Sequence, residues 1–216
     1  MPLSGNQGAL AGQALCAVMA DIHRRGWCDG TGGNFSCVLH QEPLALLMAP
    51  SGVDKGLVAP EDLITVDGDG QLLGGSGKPS AETLLHLAIV KSRGAGAVLH
   101  THSQAATLLS KLACPSGEKE GWIRVSGLEM LKGLEGIKSH AEEVKIPVLA
   151  NDQDLKRLSA AAQPLLPEAP HGLLIAGHGL YAWGANLEGA KRHLEILEFL
   201  LEHLWREQLL TARFKP

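Results

Sequence analysis

His100 and His102 close the apolar run Ala95–Leu99, with one residue between them. In a strand, residues i and i+2 point to the same face, so both imidazoles can converge on one ion. A third histidine, His178, stands between Gly177 and Gly179, where the absence of side chains lets backbone and ligand approach closely. Neutral imidazole binds zinc at about 2.0–2.1 Å, and three protein ligands with a fourth position open are the catalytic pattern. Two strand-end histidines bonded to carbonyls would also fit an isolated H-x-H. The third histidine, after a second apolar strand, tips the choice toward a metal.

Other residues suit an anion and a proton. Gly32, Gly33 and Asn34 in GTGGNFS, Ser51 and Gly52 in SGVDKG, and Ser80 in KPS can offer backbone N–H groups and hydroxyls to a phosphate. Ser80 is expected to cap a helix whose dipole favours that charge. Ordinary turns use the same residue types. The segment Gly70–Ser80 is no P-loop, because Leu72 stands where its first glycine belongs and Pro79 where Ser or Thr is required. Two carboxylates are candidate acids or bases: Glu82 in the first turn of the helix after Ser80, and Glu129 between Leu128 and Met130. Both also suit ordinary solvated helix positions, and spacing alone does not choose between them.

The elements that must position these groups are legible in outline. Leu10, Ala14, Val18 and Ile22 form an i, i+4 stripe that Gly26 ends, which predicts a helix. Hairpins are expected at 35–49 and 62–73, and a helix from Ser80 to Lys91. A strand over 95–102 and a helix over 104–112 follow. Residues 115–150 are less regular, with a short helix at 128–134 and a strand at 144–149. Asn151 or Asp152 is expected to cap a helix to Ala162. Strand halves flank Gly177-His178-Gly179, and a last helix covers 187–211. Strands that come in hairpins, without regular alternation with helices, imply one α/β domain over 1–216 with a largely antiparallel sheet.

Composition excludes several classes. With 216 residues, 45% of them hydrophobic and 19% charged, the chain is neither disordered nor a coiled coil. A net charge of −4 argues against nucleic acid as partner. Cys16, Cys28, Cys37 and Cys114 form no C-x-x-C, which fits a reducing cytoplasm. Neither charge-free stretch, Pro2–Ala20 or Ala169–Leu187, reads as a membrane span; the first lacks the basic start of a signal peptide and continues as an amphipathic helix.

Together GTGGNFS, APSGVDKG, KPSAE, AVLHTHS and GHGLYAWG, in that order across residues 10–205, resemble the class II (zinc-dependent) sugar-phosphate aldolases and their relatives. Residues 127–154 are similar to the methylthioribulose-1-phosphate dehydratases of methionine salvage within that family. The resemblance implies a three-layer α/β/α fold and a homotetramer with active sites between adjacent subunits. It also implies one zinc per subunit on His100, His102 and His178, and phosphate binding by Gly32, Gly33, Asn34, Ser51, Gly52 and Ser80. Glu82 matches the acid/base of the aldolases and Glu129 that of the dehydratases. Ala81 departs from a serine frequent in the aldolases. For the dehydratase role Glu129 needs a raised pKa, expected from partial burial among Leu128, Met130 and Leu131. An aldolase or epimerase acting on another sugar phosphate, or an adducin-like interaction module, are the alternatives; the last has no need of three histidines.

Overall fold

The computed structural model describes residues 5–213; the first residues of the charge-free stretch from Pro2 and the outer ends of the 1–216 domain lie outside them. Among the described residues nine strands form one sheet: β1 (Asn34–Gln41), β2 (Leu44–Met48), β3 (Ile64–Asp67), β4 (Leu72–Gly74), β5 (Ala97–Thr101), β6 (Glu120–Val125), β7 (Val144–Leu149), β8 (Gly172–Ile175) and β9 (Gly179–Gly184). Their order is β4-β3-β2-β1-β5-β9-β8-β7-β6. Only β7 and β8 run parallel, and every other pair is antiparallel. The hairpin-rich pattern produced the expected antiparallel sheet.

Helices cover both faces. On one side lie α1 (Gly5–Arg24), α3 (Gln104–Ala113) and α5 (Leu187–Arg213); on the other lie α2 (Thr83–Arg93) and α4 (Leu155–Ala162). The side-chain alternation of β5 shows how the layers are built. Ala97 and Leu99 join the core under α1, α3 and α5, while Val98 joins the core under α2 and α4. His100 therefore faces the α2 layer and Thr101 the α5 layer. This central strand is buried along its whole length, so its polar residues sit where an unpaired group would be costly.

Three expectations change. The α2 helix begins at Thr83 rather than at Ser80: residues 80–82 make a turn in which the Ser80 hydroxyl accepts the Glu82 N–H at 3.3 Å. The cap of α4 is Asp154, whose carboxylate accepts from the Lys156 and Arg157 N–H groups, because Asp152 is instead paired with the Arg157 side chain. Strand β6 was not anticipated. It is an edge strand whose outward residues are polar or exposed, including Trp122, so it lacks an apolar run.

Candidate metal centre

Four residues from three parts of the chain meet at one end of the central strands. His100 ends β5, His102 lies just past it, His178 occupies the β8–β9 turn, and Glu82 immediately precedes α2. His100 Nε2 is 2.8 Å from His102 Nε2 and 3.4 Å from His178 Nε2. Glu82 Oε1 lies 3.0 Å from His178 Nε2 and 3.7 Å from His100 Nε2. Two glycines permit this approach. A Cβ on Gly179 would fall 1.9 Å from the Thr101 carbonyl oxygen, and one on Gly33, which has φ +77°, would fall 2.8 Å from the His100 carbonyl oxygen.

The donor set fits a divalent ion. His100 Nδ1–H donates to the Leu180 carbonyl at 2.9 Å, leaving the Nε2 lone pair directed into the cluster. Its ring also stacks on Tyr181, with centroids 3.9 Å apart and planes 11° apart. Burial holds His100 well below the usual histidine range and lowers His102 too, so both are neutral ligands at neutral pH. Nitrogens placed tetrahedrally about zinc would be about 3.3 Å apart, close to the His100–His178 spacing, and the His100–His102 pair needs to open by about half an ångström.

Glu82 is the acidic member. Burial raises its carboxyl, but the hydrogen bond with His178 and the adjacent imidazoles outweigh that and hold it at about 2. Its second oxygen accepts the Asn34 side-chain N–H. Asn34 thus orients Glu82, where a phosphate contact was expected of it.

The loops expected to hold phosphate are fastened together by a residue not singled out from sequence. Lys55 is 1% exposed, and its ammonium donates to the Thr31 carbonyl at 3.0 Å and the Val53 carbonyl at 2.9 Å. It thereby joins GTGGNFS to SGVDKG, and burial lowers its pKa. Ser51 N–H donates to the Lys78 carbonyl at 2.8 Å, which ties SGVDKG to KPS but removes that donor from any phosphate. The only sequence cue for Lys55 is one cation inside a glycine loop, a pattern any surface turn can carry.

Glu129 lies elsewhere. It starts a 3-10 turn at Glu129–Gly133, its side chain is 71% exposed, and it pairs with Lys132 and with His140 at 3.7 Å. The Lys132 hydrogen bond lowers its pKa. The expected burial among Leu128, Met130 and Leu131 does not occur in the single chain, because Leu131 turns into the core and leaves Glu129 outside.

A second grouping, Glu135, His171 and His193, has the right residue types without the right geometry. The two rings lie tilted at 33° with centroids 4.0 Å apart, and on the His193 side the nitrogens are already committed elsewhere. His193 is fully engaged, with Nδ1 on the Trp183 carbonyl and Nε2 accepting from Glu135 N–H.

Comparison with known proteins accounts for most of the chain. A family model described as the class II aldolase and adducin N-terminal domain matches residues 13–205. A methylthioribulose-1-phosphate dehydratase from Xanthomonas campestris pv. campestris is 44% identical over 191 residues, covering 88% of this chain and 85% of that protein. One from Sorangium cellulosum is 42% identical over 184 residues, covering 83% and 84%. Among solved structures, the L-fuculose-1-phosphate aldolase of Thermus thermophilus superposes with a TM-score of 0.74 at 26% identity, covering 95% of this chain and 98% of that one.

Proposed function

The chain belongs to the class II aldolase and adducin family, and we propose that it is a lyase converting 5-methylthioribulose 1-phosphate to 5-methylthio-2,3-dioxopentyl phosphate and water in methionine salvage. The observation that carries this reading is the convergence of three imidazoles and one carboxylate in a chain whose relatives bear the dehydratase name. His100, His102 and His178 would hold the ion, zinc in this assignment, which when bound would supply Lewis-acid polarisation to the substrate's carbonyl.

The protein's own groups move the protons. The ionised Glu82, held through one oxygen by Asn34, would take the proton from C3 with the other. The C4 hydroxyl leaves as water with a proton from Glu129, and the resulting enol relaxes to the 2,3-diketone. For that step Glu129 must lose its water and its Lys132 partner, which raises its pKa. We assign this to a neighbouring copy in a homotetramer, with each site completed across an interface. The phosphate is held by the Ser51 and Ser80 hydroxyls and by the loops at Gly32, Gly33, Asn34 and Gly52, with the Lys55 charge behind them; the Ser51 and Gly32 N–H groups themselves are spent on the Lys78 and Asp29 carbonyls. These local donors do the capturing, since the net charge of −4 does not attract an anion. Four unpaired cysteines suit a cytoplasmic location, and among the described residues no helix is long and apolar enough to cross a membrane.

The position of Glu82 inside the cluster also favours a second reading, aldol cleavage of a related sugar phosphate. One assay separates the two. The purified protein is incubated with methylthioribulose 1-phosphate, fuculose 1-phosphate or ribulose 5-phosphate, with and without chelator. Chelator-sensitive diketone from the first substrate alone is expected; cleavage of fuculose 1-phosphate without diketone formation would assign the protein to the aldolases.

A further inference from the structure

Behind the histidine cluster, on the opposite face of the sheet, lies a buried acid with no part in the reaction above. Glu198 of α5 is 2% exposed and sits in the helix's apolar stripe, beside Leu194, Leu197 and Leu201, all fully buried. A leucine would be the ordinary choice there. Its carboxylate instead accepts the Thr101 hydroxyl at 2.5 Å, and the Ser103 hydroxyl also favours its ionised form. Thr101 separates His100 from His102, and Ser103 directly follows His102 while capping α3 through Ala106 N–H at 3.1 Å. The His102 backbone is held from the same region, since its N–H donates to the Trp27 carbonyl at 2.7 Å. Trp27 and Glu198 line one cavity of about 380 Å³ with Arg25, Met130, Phe199 and Glu202. Three consecutive residues of the ligand-bearing segment are therefore fixed from outside the metal site.

We propose that Glu198 is a positioning residue for the metal centre, acting through Thr101 and Ser103 to hold the His100 and His102 rings at the angle an ion requires. An unpaired buried carboxylate is costly, and a carboxylate in an apolar stripe persists where its hydrogen bonds serve some other group. Removing comparable outer partners of metal ligands typically costs about 10–100-fold in metal affinity. The inference rests on the assignment of His100, His102 and His178 as metal ligands, and its test keeps the two separable.

Zinc affinity is measured by competition with a chelating dye, and the visible spectrum is recorded with Co²⁺ in place of zinc, for wild type, Glu198→Leu, Glu198→Gln, Thr101→Val and the double variant Glu198→Leu/Thr101→Val. Glu198→Leu suits its apolar neighbours, and it is expected to keep its thermal midpoint yet lose at least 10-fold in zinc affinity and shift the Co²⁺ bands. Glu198→Gln retains an acceptor for Thr101 and should stay within about 3-fold of wild type. Thr101→Val removes the donor from the other side, should reproduce most of the loss, and decides the matter if Glu198→Leu fails to fold. The double variant should be no worse than the poorer single. Wild-type affinity and an unchanged Co²⁺ spectrum in both Glu198→Leu and Thr101→Val would overturn the positioning role alone. Failure of the wild type to bind either metal would overturn the ligand assignment and the positioning role with it.

Discussion

Glu82 and Glu129 are the two acids proposed to transfer protons, and the fold treats them oppositely. Glu82 is 16% exposed, bonded to Asn34 and set among three imidazoles from the end of β5, the residue just past it and the β8–β9 turn. Glu129 is 71% exposed on a short 3-10 turn and shared between Lys132 and His140. One carboxylate is preorganised by the single chain. The other has its neighbours still to acquire. The cluster that could hold a metal is thus complete within the protomer, whereas the complete reaction, as proposed, belongs to the assembly.

The sharpest way to break this contrast is to remove a ligand. His100→Ala or His178→Ala should abolish bound metal and cut turnover by at least about 10³-fold, since Lewis-acid stabilisation is worth several kcal/mol. Full metal content in either variant, measured by elemental analysis, would show that the cluster is not the site.

Next come the two carboxylates. Glu82→Gln and Glu129→Gln should each slow dehydration by about 10²–10⁴-fold, and Glu129→Gln should keep its full metal content. Mixing tests where each acts. Inactive Glu129→Gln and inactive His178→Ala should regain diketone formation after subunit exchange, because a mixed site combines an intact metal cluster with an intact Glu129. Glu82→Gln mixed with His178→Ala should stay inactive, as both lesions fall in one protomer's cluster. Recovery in the second mixture, or none in the first, reverses the comparison.

A third effect separates the front of the metal strand from its back. Burial pushes Glu198 up to about 7, so the folded protein holds a proton that the unfolded chain releases above about 4.5. The stability from this group is complete below about 4.5 and is lost as pH rises through about 7, an amount on the order of 3 kcal/mol. Glu82, held at about 2, has the opposite sign: its contribution is present above about 4.5 and is lost as pH falls toward 2. Denaturant midpoints between pH 5 and 8 should therefore vary less with pH in Glu198→Gln than in wild type. A variant with an unaltered pH dependence would contradict the raised value.

The smallest expected change is in Lys55→Met. It removes two hydrogen bonds of a buried cation and loosens two loops without touching a histidine. KM for the phosphorylated substrate should rise about 10-fold, with metal content unchanged.

How far the site could be read from sequence follows from the range of the interactions. The H-x-H pair was legible because strand alternation is local, and His178 because glycines flank it. Hairpins and the long terminal helix were legible for the same reason. Lys55 and Glu198 were not: each looks like many surface residues, and only contacts with Thr31 and Thr101, far away in the chain, give it meaning. The one cue for Glu198 is its place in the Leu194–Leu197–Leu201 stripe, where an acid is out of pattern. Strand β6 was hidden by its edge position, since outward residues of an edge strand need not be apolar. The Glu129 burial failed because three apolar sequence neighbours do not share one direction; Leu131 packs inward while Met130 stays 41% exposed.

An ion bound as proposed would also act as a clasp. Glu82 and His178 are separated by close to half the chain, and the segment between them includes β5, β6 and β7. An ion joining these residues closes a long loop, much as a cross-link would, and disfavours open states of the chain more than it strengthens any local contact. The turn at 80–82 is otherwise tied by a few hydrogen bonds, from Asn34 to Glu82 and from Ser51 to the Lys78 carbonyl, so chelation should free that end of α2 first, well before the sheet itself gives way.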